Sequence, residues 1–314
     1  MRYKPDYLCD LHCHTSRSDG NDTYQQLIEN ASNIGMRVIA ITDHDIIPEN
    51  KINVNGILVS TVDYARTCNL EVLLGIEFSC DSDVDDVHII GLGCNWEDER
   101  FVTEEENLRQ SKIEGYKKLA NKLIKHGIGV SWEELLENNG DFRAPQEIQR
   151  KHIFEMMASK GYTKTLQEAK LMVRDNSELN VKREKIHPLK AIELIRSTGG
   201  ISILAHPFLI DELINQQGIR IKREDYIRVF IESGLDGIEA AYTYHKTSYK
   251  VDLKDHEVEQ RITEAYSDKM KIMSGGSDYQ NDFKKGVENP RMIGEKGILW
   301  EYFINNKYLC ALIA

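Results

Sequence analysis

The sequence predicts an α/β fold built on parallel strands, and three observations support this. Apolar runs of strand length recur along the chain, at 38–45, 73–79, 201–208 and 272–278. Stretches with helical periodicity lie between such runs, at 23–35 and 187–200. The 314 residues, 41% hydrophobic and 29% charged, have the composition of a globular chain with a substantial core. Alternating strands and helices indicate parallel strands joined by crossover helices.

Most of these apolar runs end in polar residues of catalytic type. The four endings read TDHD, IEFS, AHPF and GGSD. In a closed β/α barrel, the loops that follow the strands converge on one face. We therefore expect these polar residues to be neighbours in space.

The middle of the chain has a different pattern. Between about 98 and 187 the periodicity is helical, with hardly any strand signal, and Ser131 and Glu134 fit a capping box. We interpret 98–187 as a helical insertion. The barrel then comprises 1–97 and 188–314.

The charge and the apolar runs exclude several classes of protein. A net charge of −11 disfavours a protein that coats long nucleic acid, because such binding uses many Lys and Arg contacts to phosphates. No apolar run approaches the roughly 20 residues of a membrane-spanning helix, and no signal-peptide pattern opens the chain. We expect a cytoplasmic protein without membrane partners, and its six cysteines, none in a CxxC pair, to be reduced thiols.

Two histidines near the start of the chain form the first candidate metal-binding pattern. His12 and His14 stand two residues apart in a predicted strand, so their side chains point to the same face. Asp19 follows in a Ser-Asp-Gly turn, where its carboxylate can bend back toward the same ion or a neighbouring one. Taken alone, this pattern is equally compatible with a structural role.

Two further ligand types stand at strand ends. His44 follows a buried-looking run, and Asp43 is a candidate hydrogen-bond partner for an imidazole. Glu77 ends the run LLGIEF, and a buried carboxylate is costly unless a cation balances its charge. One glutamate can bridge two metal ions, which makes Glu77 a candidate for that role.

Three more candidates complete the set. His88 opens an apolar run instead of ending one, so its position leaves its role open. His206 follows three apolar residues and precedes Pro207, which ends the strand. Asp278 follows glycines that allow close approach of the backbone to a ligand. Imidazoles and carboxylates without cysteine favour Zn²⁺, Mn²⁺ or Fe²⁺. Because these ligands exceed the needs of one ion, we expect two or three divalent ions.

The motifs HxH, S-x-DG, TDHD, GIEFS, HIIGLG, AHP and GSD, in this order, resemble the PHP (polymerase and histidinol phosphatase) superfamily. In particular the motifs resemble its stand-alone metal-dependent phosphoesterases, and the resemblance covers nearly the whole chain. The resemblance implies a distorted seven-stranded (β/α) barrel with a helical insertion domain and up to three metal ions. This branch includes phosphatases of nucleoside monophosphates and 3′,5′-bisphosphates and an exonuclease of short oligoribonucleotides.

The resemblance also implies which residues bind each metal. The first ion would be held by His12, His14, Glu77 and Asp278. The second would use Asp19 and His44, and the third Glu77, His88 and His206. In the family a histidine two residues after the final aspartate completes the second site, but Gln280 stands there in this chain. An amide oxygen is a weaker ligand than imidazole, and His245 is an alternative ligand.

The resemblance places basic residues of the insertion in the substrate pocket. The candidate residues are Arg150, His152, Lys182 and Arg183, with Arg143 as a weaker addition. A guanidinium group suits phosphate because its planar donors can bind two oxygens together. For each of them, a solvated surface charge is the competing interpretation.

Together these features predict a metal-dependent phosphoesterase. We expect metal-activated water to hydrolyse a phosphomonoester or terminal phosphodiester of a nucleotide, of the AMP or 3′,5′-bisphosphate type, or of a short oligonucleotide. His206 and His245 are the candidate proton donors to the leaving oxygen. The alternatives are a histidinol-phosphate phosphatase and a metal-binding protein with little turnover because of Gln280. The sequence leaves the oligomeric state open.

Overall fold

A computed structural model describes residues 3–80, 84, 86–138, 140–216, 219–247, 253–281, 283 and 289–313. The chain divides into two compact units. Unit 1 comprises Met1–Thr103 and Ile186–Ala314, and unit 2 comprises Glu104–Lys185. No helix among the described residues has both the length and the apolar character needed to cross a bilayer.

The strands, in chain order, are β1 Cys9–Cys13, β2 Val38–Ile41, β3 Lys51–Val54, β4 Ile57–Ser60, β5 Glu71–Ser79, β6 His88–Leu92, β7 Glu137–Asn138, β8 Asp141–Phe142, β9 Ile201–Leu204, β10 Leu213–Gln216, β11 Ile219–Lys222, β12 Gly237–Ala241 and β13 Ile272–Gly275. The helices are α1 Tyr24–Ile34, α2 Thr61–Thr67, α3 Glu99–Lys125, α4 Trp132–Leu136, α5 Arg150–Ser159, α6 Leu166–Asp175, α7 Pro188–Ser197, α8 Arg223–Glu232, α9 Asp255–Tyr266, α10 Trp300–Asn305 and α11 Lys307–Cys310. Single 3₁₀ turns span Pro145–Glu147, Pro207–Leu209 and Tyr244–Lys246.

Seven strands of unit 1 form one sheet, in the order β1-β2-β5-β6-β9-β12-β13. Neighbours pair in parallel except at β6, which is antiparallel to both β5 and β9. The expectation of parallel strands is therefore wrong for β6. Its first residue, His88, pairs with Ser79 at the end of β5. The start of β6 thus lies at the edge where the parallel strands end.

The two outer strands of this sheet approach each other. Cys13, the last residue of β1, forms a parallel bridge with Tyr279, which follows β13. The backbone nitrogen of His14 donates a hydrogen bond to the carbonyl of Tyr279 at 2.8 Å. Gly276 packs so tightly on His12 that an added Cβ would overlap it. The sheet nearly closes into a barrel, which confirms the predicted seven-stranded α/β barrel.

Each unit has its own apolar core. In unit 1, one buried cluster combines strand residues such as Leu11, Ile90 and Ile203 with Phe303 of α10. In unit 2, helices α3 to α6 enclose a cluster around Leu123. Because unit 1 buries apolar side chains from most of its sheet, the strand ends have a rigid base.

The start of α1 is fixed by the side chain of its N-cap residue. Thr23 Oγ1 accepts a hydrogen bond from Gln26 N at 3.2 Å, and Gln26 Oε1 accepts one from Thr23 N at 3.0 Å. We expect Thr23→Ala to lower the free energy of unfolding by about 1 kcal/mol, because the backbone N–H of Gln26 loses its acceptor. Thr23→Ser keeps the acceptor and is the matched control in a urea titration. Equal midpoints for the two variants would contradict this role.

Candidate metal centre

The structure brings the predicted ligands together at one edge of the unit 1 sheet. His12 lies in β1, Glu77 in β5 and His88 at the start of β6. The other five lie in the loops that follow strands: His14 and Asp19 after β1, His44 after β2, His206 after β9 and Asp278 after β13. The antiparallel direction of β6 explains why a histidine at the start of a strand joins this group.

The carboxylate of Glu77 is the centre of the cluster. Its side chain is 1% exposed, and Oε1 lies 2.9 Å from His88 Nδ1 and 3.2 Å from His206 Nε2. Oε2 lies 3.2 Å from His12 Nε2, 3.3 Å from His14 Nε2 and 3.1 Å from His44 Nδ1. Five imidazoles therefore surround one buried carboxylate.

This arrangement fits metal ions better than hydrogen bonding. Glu77 Oε2 is buried, and no described residue makes a hydrogen bond to it. Nε2 of His12 lies 3.1 Å from Nε2 of His14, which in turn lies 3.1 Å from an oxygen of Asp278. Donor atoms that converge on a common space without saturating one another are typical of metal ligands.

Among the residues that the structure describes, three sets of ligand atoms lie close enough together to hold a cation. They are His12, His14 and Glu77; His14, Asp19 and His44; and His44, Glu77 and His88. Glu77 belongs to two of the sets, which is the arrangement that a bridging carboxylate needs. The donor set of nitrogen and oxygen without sulfur suits Zn²⁺, Mn²⁺ or Fe²⁺.

The electrostatics of the cluster keep its carboxylates ionised. Burial by itself would raise the pKa of Glu77, but His44, His12 and His88 hold it well below its usual range. Burial would lower the pKa of His12, yet Glu77 and Glu239 raise it well above the ordinary value. The carboxylates are therefore anionic partners for positive charge at this site.

Two of the ligands have strained backbones. His206 has φ 29° and Asp278 has φ 53°, in the left-handed region that non-glycine residues rarely adopt. Such strain persists only where the surroundings impose it, and it is concentrated at functional sites. The backbone nitrogen of His206 donates to Glu239 Oε2 at 2.8 Å, which helps to hold this conformation.

Sequence reasoning missed Glu239, a fully buried carboxylate in β12. Its Oε1 lies 3.1 Å from His12 Nδ1, while Oε2 accepts from the backbone of His206. A carboxylate on Nδ1 fixes the tautomer of His12 and leaves Nε2 free to bind a metal. The signal was present, because Glu239 interrupts the apolar run GIEAA in the way that Glu77 interrupts LLGIEF.

Asp10 was missed as well. Its carboxylate accepts from Ser277 N at 3.0 Å, from Ser277 Oγ at 2.6 Å and from Gly294 N at 2.8 Å. Burial raises the pKa of Asp10 to about 6, and these hydrogen bonds oppose the increase. Asp10 thereby ties β1 to the loop that carries Asp278.

Asp43 has a different partner from the expected one. Its oxygens accept from Thr15 N at 2.8 Å, Thr15 Oγ1 at 2.6 Å and Ser18 Oγ at 2.5 Å. The expectation that Asp43 bonds to an imidazole is therefore wrong. It instead fixes the loop between His14 and Asp19.

Gln280 lies beside Asp278 and donates from Nε2 to Oδ1 at 3.2 Å. Tyr242 donates to the other oxygen of Asp278 at 2.7 Å, and Arg291 lies 3.1 Å from that oxygen. Burial would raise the pKa of Asp278, but Arg291 and His14 keep it well below its usual range. The Gln280 side chain thus takes part in orienting a candidate ligand.

His245 lies apart from the other candidates. Its Nδ1 lies 2.5 Å from Asp255 Oδ2, at the start of α9, and its side chain is 51% exposed. Within the described residues, no hydrogen bond or ion pair joins it to the ligands around Glu77.

The four substrate candidates all lie in unit 2. Arg150 lies 5.6 Å from the ring centroid of Phe154, and Arg183 lies 5.7 Å from that of Tyr116. Burial, together with Arg183, lowers the pKa of Arg150, which indicates that the two guanidinium groups are neighbours. Lys182 is exposed.

His152 is neutral at physiological pH. Burial lowers its pKa to about 4, with further contributions from Arg143 and Lys151. Nδ1 accepts a hydrogen bond from Gln149 N at 3.1 Å, so the proton of the neutral ring is on Nε2. Nε2 is therefore the atom from which the neutral His152 ring can donate a hydrogen bond.

Comparison with known proteins agrees with this geometry. The family model described as PHP domain matches residues 10–278. The chain belongs to the PHP domain family.

Two curated members and one solved structure illustrate the relationship. The chain is 26% identical over 285 residues to phosphoribosyl 1,2-cyclic phosphate 1,2-diphosphodiesterase of Eggerthella lenta, covering 87% of this chain and 94% of the relative. It is 27% identical over 199 residues to a 5′-3′ exoribonuclease of Haemophilus influenzae, covering 63% and 68%. A solved structure from Bifidobacterium adolescentis, described as a candidate metal-dependent phosphoesterase, superimposes with a TM-score of 0.71 at 21% identity, covering 98% and 97%. The last comparison supports the fold.

The contacts of Glu239 lead to a prediction about metal binding. We expect Glu239→Gln to weaken Mn²⁺ binding by about 10- to 100-fold, because an amide cannot accept from both His12 Nδ1 and the backbone of His206. The measurement is a Mn²⁺ titration, with the tautomer of His12 followed by ¹⁵N NMR. Glu232→Gln, on the exposed end of α8, is the matched control. Unchanged affinity and an unchanged Nδ1–H tautomer would contradict the role of Glu239.

Proposed function

We propose that this PHP-family phosphoesterase hydrolyses a small phosphorylated substrate of the nucleotide class at the cluster around Glu77. The observation that carries the proposal is the position of Glu77, with both oxygens shared among five imidazoles. A buried carboxylate in this position can hold two divalent ions side by side.

We further propose that two or three divalent ions occupy the cluster. We also propose that His206 binds metal and does not donate a proton, because its Nε2 faces Glu77. When bound, such ions lower the pKa of a coordinated water from 15.7 toward about 7 and offset the charge of a phosphate. Asp19 and His44, which are part-exposed, lie on the side of the cluster that is open to solvent.

The nearby hydroxyl and thiols support attack by water over a covalent mechanism. Ser277 Oγ donates to Asp10 at 2.6 Å, so its proton is already engaged. Burial raises the pKa of Cys9 to about 12 and raises that of Cys13 well above the ordinary value. Neither thiol is ionised at neutral pH, and the thiolate is the nucleophilic form.

The basic residues of unit 2 are the candidate contacts to a substrate phosphate. We propose that Arg150 contributes a charged contact to a substrate phosphate and His152 a neutral one. Lys182 and Arg183 are proposed as additional phosphate contacts. The similarity to an exoribonuclease favours a nucleotide or a short oligonucleotide as substrate.

A second candidate substrate is a cyclic phosphodiester of a phosphoribose. The supporting observation is that the relative named for this activity aligns over 94% of its own length. Opening such a ring and hydrolysing a terminal phosphodiester both require attack on a phosphodiester, so one metal cluster can serve either reaction.

The test is phosphate or product release with added Mn²⁺ or Zn²⁺. The panel comprises AMP, a 3′,5′-bisphosphate nucleotide, a short oligoribonucleotide, a ribose 1,2-cyclic phosphate and histidinol phosphate. We expect turnover of a nucleotide or oligonucleotide, and we expect Glu77→Gln to reduce it at least about 100-fold through loss of the shared ligand. Glu232→Gln is the control for a change of one surface charge.

Other outcomes would change the assignment. Turnover restricted to the cyclic phosphate or to histidinol phosphate would replace the nucleotide proposal. Metal binding without turnover of any substrate would favour a metal-binding protein with little turnover. If the variant Gln280→His then hydrolyses a substrate, the lack of activity is due to Gln280. Full activity in Glu77→Gln would overturn the proposed site.

A further inference from the structure

Unit 2 contains a lysine-lined groove, well separated in sequence from the ligands around Glu77. The groove has a cavity volume of about 430 Å³. One wall is α3, with Lys118, Asn121, Lys122 and Lys125, and the other is the segment 180–182. We name this feature the lysine groove.

The lysine groove is held open by contacts on both sides. Lys122 Nζ donates to the carbonyl of Asn180 at 2.7 Å, and His126 Nε2 lies 2.6 Å from Glu178 Oε2. Toward the other end, the guanidinium of Arg183 packs over the ring of Tyr116. The segment therefore runs along α3 at a fixed separation.

The spacing on α3 directs several amines into the groove. Lys118, Lys122 and Lys125 are related by i, i+4 and i+7, which places them on one face of the helix. No carboxylate in the described part of the chain forms an ion pair with Lys118 or Lys125. Glu178, two residues before the segment 180–182, pairs with His126.

The overall charge distribution reinforces this local pattern. Unit 2 has 16 Lys and Arg against 14 Asp and Glu, a net charge of +2. The remainder of the chain has 24 against 37, a net charge of −13. The negative charge of the chain therefore lies outside unit 2, so a phosphate at the lysine groove meets less repulsion within its own unit than it would in unit 1.

The lining chemistry identifies the kind of anion. Lysine amines bind phosphate as point charges, and the amide of Asn121 adds a neutral donor. No aromatic ring is among the lining residues that the structure describes, so base stacking does not contribute. These features favour recognition of phosphate groups irrespective of base.

We propose that the lysine groove binds a ligand with two or more phosphate groups, which the backbone of a short single-stranded oligonucleotide or a free polyphosphate would both supply. The choice of the oligonucleotide as probe rests on the proposed function. Binding at the groove is measured without turnover. A lack of binding at the groove can therefore be distinguished from a lack of phosphoester hydrolysis.

The test is fluorescence anisotropy with the full chain in Mn²⁺ and a 3′-fluorescein hexanucleotide with hydrolysis-resistant phosphorothioate linkages. The variant is Lys118→Gln with Lys125→Gln, which leaves Lys122 to hold Asn180. The matched control is Lys164→Gln with Lys170→Gln, which removes two exposed charges from the same unit. Inorganic tripolyphosphate is the competitor.

We expect the groove variant to weaken hexanucleotide binding about tenfold and to reduce the slope of log K against log salt by about 1.4, the value for two lost phosphate contacts. The control variant should bind as the wild type does. Inorganic phosphate is the reference competitor. If tripolyphosphate displaces the hexanucleotide at concentrations where inorganic phosphate does not, a polyphosphate is a sufficient ligand. No competition would restrict the ligand to the oligonucleotide.

Two results would overturn the lysine groove as a binding site. One is hexanucleotide binding by the groove variant with wild-type affinity and salt slope, and the other is an equal loss in the control variant. If the groove variant loses binding while the wild type hydrolyses no phosphoester, the lysine groove stands and the proposed function fails.

Discussion

The structure of unit 1 depends on a buried negative charge that must be balanced. Placing a carboxylate at 1% exposure among apolar strands costs several kcal/mol unless positive charge or hydrogen bonds compensate for it. Glu77 has five imidazoles around it and one oxygen without a hydrogen bond. Divalent cations would satisfy both the charge and the convergent nitrogen lone pairs.

The barrel fold brings the ligands of this cluster together. Each ligand comes from a strand end or the loop beside it, so residues far apart in sequence share one edge of the sheet. Hydrogen bonds to buried carboxylates then fix the ligands: Glu239 joins His12 to the backbone of His206, and Asp10 holds the loop before Asp278. The strained backbones of His206 and Asp278 are part of this fixed arrangement.

The sequence predicted the strands and the composition of the cluster because these signals are local, whereas the seven-stranded barrel followed from the resemblance to the PHP superfamily. A polar residue that ends an apolar run marks a strand end, and five of the eight ligand candidates lie in a loop that follows a strand. The direction of a strand is not a local property, and for that reason the role of His88 could not be derived from its position alone. The antiparallel pairing of β6 with β5 and β9 supplies the missing information.

Hydrogen-bond partners were harder to predict than ligands. Asp43 adjoins His44 in the chain but turns to Thr15 and Ser18, since neighbours on a chain need not face the same way. Glu239 has the same sequence signature as Glu77, yet its partners come from β1 and from the loop after β9. Such contacts depend on packing between strands, which the amino-acid pattern of one strand does not specify.

The most direct test of the central role of Glu77 is an anomalous difference map from crystals grown with Mn²⁺. We predict at least two peaks beside the Glu77 carboxylate, roughly 3.5–4 Å apart, with ligands from His12, His14, His44, His88 and His206. A map without a peak at Glu77, or with peaks only elsewhere on the chain, would contradict the assignment of this cluster as the metal centre.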